Sequence, residues 1–454
     1  MRKTIFARIV VIIAFAAAVL AAPPRESLAY EVNKSAVVLL AVKDASGKVF
    51  STGTGFIATP EGTLVTNYHV LVDAVSIDAV LEDGSTAPVK GVLHTDRAKD
   101  FAIIKLAGGP FSTLELGDSD RAREFDYVSA LGYLAEETQM EQGGGIQGGV
   151  LQTYGFILGV HPQAYPDFSY IYSTAEFGPG FSGGPVVDRQ NKVVGLATVE
   201  GRSINLALPI NYVKPFIKES QIVPLGKIVE EDKDSKEVLY YKGNFALYAL
   251  GEPDTAMNYF NRILEKDPGF VLAHYDLAVA YREKGMFEET VKEYEKTVQM
   301  NPRFPEALSN LGGHYFMSGK MTEAAAAFKK AVQLYPNFLQ ALSNLGAALN
   351  KLGKHDEAIP YLEKALSLDP EFGMAHYNMG NARFAANQFT DARQAYNKAV
   401  DLGVDLLSLH WNLYEMNVKE GRDKDAEEEL EIILKIDPDN QEALKKLRKK
   451  SPVP

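Results

Sequence analysis

The feature that most restricts how this chain can fold is a period in its second half. Pro268, Pro302, Pro336, Pro370 and Pro438 are spaced by 34 residues or, across the last gap, by twice 34. Gly251, Gly285, Gly319, Gly353 and Gly421 keep the same spacing, and so do Ala256, Ala324, Ala358, Ala392 and Ala426. A unit of this length holds two helices and a turn. It cannot bury its apolar face alone, so neighbours must stack into an all-α solenoid. Counting predicts six units, at 237–270, 271–304, 305–338, 339–372, 373–406 and 407–440, with a basic cap helix and tail at 441–454. Gly312, Gly346, Gly380 and Ala278 are small enough to let a first helix approach its partner. Phe260, Tyr281, Tyr294, Tyr315, Phe328 and Tyr396 are expected to fill the space between helices. The fifth unit departs, with Asn387 at the turn glycine and Val404 at the closing proline.

Two polar series follow the same period. Asn310, Asn344, Asn378 and Asn412 either bond an extended peptide backbone or tie adjacent first helices together. His274, His376 and His410 share one register, which makes them packing residues rather than metal ligands. The segment resembles the tetratricopeptide repeat, and the resemblance implies a concave face that takes a peptide or a segment of a protein partner.

The first half is punctuated differently. Short runs rich in Val, Ile and Leu, at 36–42, 55–58, 63–66, 76–81, 89–94 and 101–106, are separated by Gly, Asp, Ser and Pro. Further runs follow at 127–131, 149–160, 170–173, 185–187, 192–199 and 204–208. This is the pattern of an all-β domain, with strands enough for two small barrels. The charged stretch 225–236 reads as the linker to the repeats.

Three positions in the β-rich half carry chemistry. His69 follows the strand 63–66, Asp100 opens the strand 101–106, and Ser182 sits in Gly178-Pro179-Gly180-Phe181-Ser182-Gly183-Gly184-Pro185. A serine hydroxyl is a weak nucleophile until an imidazole takes its proton, and that imidazole needs a carboxylate to fix its tautomer. The glycines allow a sharp turn that points two N–H groups at one spot beside the hydroxyl, where an oxyanion could sit. His94 and His161 have no partners at metal-ligand spacing, and the glycine run at 143–149 lacks the Lys-Ser/Thr ending of a phosphate loop and reads as an inter-strand loop.

Here the sequence resembles the trypsin-like serine proteases of the HtrA (Deg) type. The resemblance rests on Gly53-Thr54-Gly55-Phe56-Ile57, Leu64-Val65-Thr66-Asn67-Tyr68-His69-Val70, Asp96 to Ile104, and Pro179-Gly180-Phe181-Ser182-Gly183-Gly184-Pro185. It implies a trypsin-like double β-barrel over 30–224, with the site in the cleft between barrels. By that pattern His69 is the general base, Asp100 its orienting carboxylate and Ser182 the nucleophile, while the backbone N–H groups of Gly180 and Ser182 form the oxyanion hole. Asp96 is the rival carboxylate, but the family's Asp directly precedes the apolar-Ala pair, which selects Asp100. Asn205 to Pro209, with Leu206, looks like the strand lining the specificity pocket. Glu176 falls where members with an acidic pocket base attract Lys or Arg. The pattern is broken at Phe181, where HtrA-type members usually carry Asn.

The remaining bounds come from the N-terminus and composition. Arg2, Lys3 and Arg8, the apolar run from Ile9 to Ala22 and the small-x-small site Ser27-Leu28-Ala29 read as a signal segment over 1–29, expected to direct export, most simply to a bacterial periplasm. No stable membrane span is expected after its removal. The chain has no cysteine, which removes disulfides and thiol catalysis. A net charge of −12 without clustered Lys and Arg argues against a nucleic-acid partner. The expected function is an exported serine endopeptidase acting on protein or peptide substrates, with no metal or organic cofactor and with the repeats recruiting substrate or partner. The competing expectation is an interaction scaffold whose protease-like half is inactive, or waits for a partner, because Phe181 disturbs the oxyanion turn.

Overall fold

The computed structural model describes residues 32–134, 139–140, 146–147, 149–162, 168–178, 180–198, 205–404 and 406–450. The expected signal segment lies outside these residues, as do Gly143, Gly144, Gly145 and Gly148 of the glycine run. The chain divides into two compact units, Met1–Phe245 and Ala246–Pro454.

The first unit holds two antiparallel barrels. Strands β1 (Val37–Lys43), β2 (Val49–Ile57), β3 (Thr63–Thr66), β4 (Ser76–Val80), β5 (Thr86–Asp96) and β6 (Phe101–Leu106) close in the order β1-β2-β3-β6-β5-β4. Alternate side chains along β1, Val38, Leu40 and Val42, meet Ile57, Leu64, Ile104 and Leu106 in one buried cluster, the period of two that strand geometry imposes. β2 begins at Val49, earlier than the apolar run at 55–58 indicated. Its first half carries Ser51 and Thr52, which apolar pattern alone does not mark as strand.

The second barrel uses β7 (Glu115–Leu116), β8 (Tyr127–Gly132), β11 (Leu151–Pro162), β12 (Ser169–Ser173), β13 (Pro185–Asp188), β14 (Lys192–Thr198) and β15 (Asn205–Pro209). A pair of two-residue strands, β9 (Gln139–Met140) and β10 (Ile146–Gln147), stands apart from it. The order is β13-β8-β11-β12-β15-β14, the β13–β14 pairing closes the ring, and β7 adds in parallel to β14. Phe181, Val128, Ala130, Ile171 and Val186 form its core.

The stretch expected as a linker is folded onto the first barrel. Val223 exchanges two backbone hydrogen bonds with Val92 of β5, each 2.8 Å. Helix α1 (Leu225–Asp232) then sends Leu225, Ile228 and Val229 into the cluster that fills that barrel. At its end Asp232, 2% exposed, accepts the Tyr68 hydroxyl at 2.6 Å and Arg97 Nε at 2.7 Å, and it also pairs with Arg97 Nη2. Burial first, and the Asp232 carboxylate second, push the Tyr68 phenol well above its ordinary value. The charge run that reads as solvated linker thus hides an apolar face and one buried carboxylate. Helix α2 (Lys236–Asn244) follows, its N-terminus capped by Ser235 Oγ accepting from Val238 N–H at 3.2 Å.

The second unit is built from helix pairs. After α3 (Pro253–Lys266) come α4 (Val271–Glu283) with α5 (Phe287–Met300), α6 (Pro305–Met317) with α7 (Met321–Leu334), and α8 (Leu339–Lys351) with α9 (His355–Leu368). These are followed by α10 (Gly373–Ala385) with α11 (Phe389–Asp401), α12 (Leu407–Lys419) with α13 (Asp423–Ile436), and the closing α14 (Gln441–Lys450). The glycines predicted to permit close approach do so. A Cβ on Gly312 would lie 2.9 Å from the Phe328 ring, on Gly346 2.5 Å from Leu362, and on Gly380 2.5 Å from Tyr396. Phe260, Tyr294, Phe328 and Tyr396 are fully buried, each worth roughly 1.5–3 kcal/mol on burial of a large apolar side chain. Asn387 takes φ 57 at the turn where the other units place glycine, a conformation asparagine tolerates. Among the described residues no helix is long and apolar enough to cross a membrane.

The histidine register is occupied as packing positions with polar anchors. His274 Nδ1 lies 2.6 Å from Glu293 Oε2 and its Nε2 3.1 Å from the Pro268 carbonyl; His376 Nε2 reaches the Pro370 carbonyl at 2.9 Å and His410 Nδ1 reaches Glu429 Oε2 at 2.6 Å. His314 differs. It packs against the rings of Phe287 and Tyr294, and burial first, then the charge of Arg282, hold its imidazole below the usual value. An unfolded chain therefore protonates this histidine before the folded one does, so its contribution to stability is full above about pH 6.5 and is lost as pH falls through the folded value. Melting followed by helical circular dichroism from pH 7.5 to 5 is expected to fall more steeply for wild type than for His314→Phe. Parallel curves would refute the assignment.

Candidate active site

β3 and β6 determine where two of the three candidate residues meet. Thr66 at the end of β3 pairs with Ala102 near the start of β6, so the chain leaves one strand and enters the other at the same end of the barrel. His69 opens a single 3-10 turn just past β3, and Asp100 immediately precedes β6. Asp100 is 1% exposed. Its Oδ1 accepts the backbone N–H of His69 at 2.9 Å, and its Oδ2 stands 2.7 Å from His69 Nδ1. Asn67 Nδ2 donates to the Asp100 carbonyl at 2.7 Å, fixing the loop from the other side. Asp96, the rival carboxylate, is engaged locally, accepting Lys99 N–H at 3.0 Å and Lys99 Nζ at 2.6 Å.

The serine turn meets the segment that precedes His69 from the second barrel. The Ser182 carbonyl accepts Thr54 N–H at 2.9 Å, Thr54 Oγ1 donates to the Gly180 carbonyl at 2.6 Å, and Thr66 Oγ1 donates to the Thr54 carbonyl at 2.7 Å. Gly183, with φ 86, is pressed against β2 and β3. A Cβ there would lie 2.2 Å from the Thr54 carbonyl oxygen, 2.3 Å from Thr66 Oγ1 and 2.9 Å from Asn67 N. The serine turn thus abuts the segment that runs into His69.

Phe181 points away from this turn. Its ring is 1% exposed and lies in the second barrel's core, close enough to Gly132 that a Cβ there would stand 2.7 Å from it. Its N–H closes the turn onto the Gly178 carbonyl at 3.0 Å. Among the described residues the N–H groups of Gly180 and Ser182 donate to no backbone carbonyl.

The expected specificity residues are placed unequally. Leu206 is buried, paired with Tyr172 and Thr198. Glu176 is exposed; its carbonyl accepts Thr153 Oγ1 at 2.8 Å while its carboxylate stands in solvent. A carboxylate in water attracts a cation only weakly. In the second unit, three of the four periodic asparagines spend amide donors internally. Asn310 Nδ2 bonds Tyr275 and Tyr294, Asn378 Nδ2 bonds Ser343, and Asn412 Nδ2 bonds Asn381 and Tyr396. Only Asn344 of the four is exposed. The tie between helices describes the first three, and a peptide clamp reduces to Asn344.

Residues 53–196 match the trypsin-like peptidase domain family, and residues 245–289, 287–337 and 339–372 match tetratricopeptide repeat families. The chain carries a trypsin-like peptidase domain and tetratricopeptide repeats. A probable periplasmic serine endoprotease DegP-like from Rickettsia prowazekii is 31% identical over 210 residues, covering 43% of this chain and 40% of that protein. Serine protease HTRA1 from Xenopus laevis is 30% identical over 177 residues, covering 37% and 36%. The chain thus spans well under two thirds of these relatives' length. A solved HtrA-type protease with tripeptide matches at 25% identity and a TM-score of 0.35, over 40% of this chain and 58% of that one.

The peptidase domain also uses polar residues that the sequence reading did not assign. Thr198, at the end of β14, places its hydroxyl 3.4 Å from Asp100 Oδ2. Thr54, on β2 of the first barrel, ties it to the second at two points, its hydroxyl donating to the Gly180 carbonyl and accepting Tyr133 N–H at 3.0 Å. Thr54 and Asn67 lie inside the motifs that carry the resemblance, so their placement was open to inference. Thr198 sits in an ordinary apolar strand and gives no such signal.

Proposed function

We propose that this chain is an exported serine endopeptidase in which Ser182 attacks the scissile carbonyl, His69 takes and returns the proton, and Asp100 orients the imidazole. The observation that carries the reading is the two-point grip of Asp100 on His69, one oxygen on the backbone N–H and the other on Nδ1. That grip makes Nδ1 the protonated nitrogen and leaves Nε2 to act as base. Gly180 and Ser182 N–H groups would stabilise the oxyanion, in a site that removes charge from water. The names of the DegP-like relatives favour a periplasmic location. The repeats recruit a protein segment, substrate or partner, with Asn344 as the exposed asparagine of the series.

The scaffold reading rested on Phe181. The Phe181 ring is buried in the barrel core and its N–H closes the turn onto the Gly178 carbonyl, and this speaks for a competent turn. The test is labelling by a fluorophosphonate probe. Wild type is expected to label and Ser182→Ala to lose labelling entirely. Equal, background labelling of both would favour the scaffold.

A further inference from the structure

We propose that Tyr241, on helix α2 far along the chain from the catalytic motifs, determines specificity by restricting the substrate side chain that lies over His69. The inference rests on the hydrolytic reading of His69, Asp100 and Ser182. The Tyr241 ring lies against the imidazole of His69, with centroids 5.7 Å apart and planes tilted by 43°. Its hydroxyl donates to the Arg97 carbonyl at 2.8 Å. The ring therefore spans from the imidazole to the loop that carries Asp100, occupying the strip of surface directly beside the base.

The ring is held there from several directions. Arg97 ties both helices at once, its carbonyl to Tyr241 and its guanidinium to buried Asp232 of α1. Lys242, the next residue on α2, pairs with Asp73 at 2.8 Å. Tyr68, which neighbours His69, packs on Tyr241 with centroids 6.1 Å apart and bonds Asp232. Displacing the ring would mean breaking a cluster around a carboxylate that is 2% exposed.

Catalysis requires Nε2 of His69 to reach both the serine hydroxyl and the leaving nitrogen. An extended substrate must then lay a side chain flanking the cleaved bond along the imidazole. The His69 side chain is still 28% exposed, so the approach is narrowed rather than closed. Small side chains fit beside Tyr241, and large ones collide with it.

The experiment is cleavage of a proteome-derived peptide library by the full chain, with sites read by mass spectrometry, alongside fluorophosphonate labelling and a melting curve for each variant. Tyr241→Ala is expected to admit Leu, Phe and Tyr at one position flanking the cleaved bond, with at least a tenfold rise in kcat/KM for such peptides over those with Gly or Ala there. Tyr241→Phe keeps the ring and is expected to keep the wild-type profile, while the bulkier Tyr241→Trp is expected to narrow it, which holds the test open should the alanine variant unfold: a folded Tyr241→Trp variant that accepts large side chains as well as or better than wild type would also overturn the proposal. An unchanged profile in a folded Tyr241→Ala, or a uniform loss across all peptides, overturns it while leaving the hydrolytic reading standing. Absence of labelling in both wild type and Tyr241→Ala overturns the two together.

Discussion

Asp100→Asn is expected to slow fluorophosphonate labelling of Ser182 roughly ten-thousandfold, about 5.5 kcal/mol of barrier, while leaving the melting curve close to wild type. The orientation of the new amide is dictated by the backbone. One oxygen of residue 100 accepts the N–H of His69, a donor that cannot be turned away, so the asparagine must present its oxygen there. Its NH2 then faces His69 Nδ1, which must accept, and the ring proton moves to Nε2. An imidazole protonated at Nε2 cannot take a proton from Ser182. The substitution is also well chosen for the fold, because residue 100 has φ 55, a value that asparagine adopts and most other side chains resist. A loss smaller than tenfold in labelling rate would show that residue 100 does not set the tautomer.

Gly183→Ala is expected to destabilise the first unit by roughly 3 kcal/mol or more, from left-handed backbone strain of about 1–2 kcal/mol together with overpacking of about 1–3 kcal/mol. A shift of this size lowers the melting temperature by about 6–12 °C for a unit of some 200 residues. The added methyl would stand 2.2 Å from the Thr54 carbonyl oxygen, itself bonded to Thr66, so neither neighbour can yield without opening the contact between the serine turn and β3. Gly47 supplies the control. It has nearly the same φ, 81 against 86, yet nothing lies within 4 Å of its hypothetical Cβ. Gly47→Ala should therefore show the backbone strain alone, about 1–2 kcal/mol. Similar melting shifts for the two variants would mean that the close approach at Gly183 is not what holds the turn.

The helix pairs of the second unit were legible because their information is periodic. Small residues opposite large ones, and a turn residue able to adopt positive φ, recur every 34 positions, and each recurrence constrains the same packing contact. The peptidase unit was legible through local motifs, in which the strand leading to His69 and the strand following Asp100 each carry a recognisable pattern and pair directly. What escaped is long-range and aperiodic. Nothing in the sequence around Asp232 distinguishes it from its acidic neighbours Glu230, Glu231 and Asp234, although it alone of the four is buried. Tyr241 reads as one more aromatic on a repeat helix. The asparagine series shows the limit of periodicity too, since Asn310 and Asn344 share a register but only the first finds phenol oxygens beside it.

The burial of α1 in the first barrel bears on how such a chain can be recombined. A gene fusion that exchanged the repeats at Pro224 would carry away Leu225, part of the barrel's own interior, and strip Tyr68 of its acceptor. The exchangeable cassette begins after Phe245, so the helix that sequence period assigns to the first repeat is inherited with the peptidase.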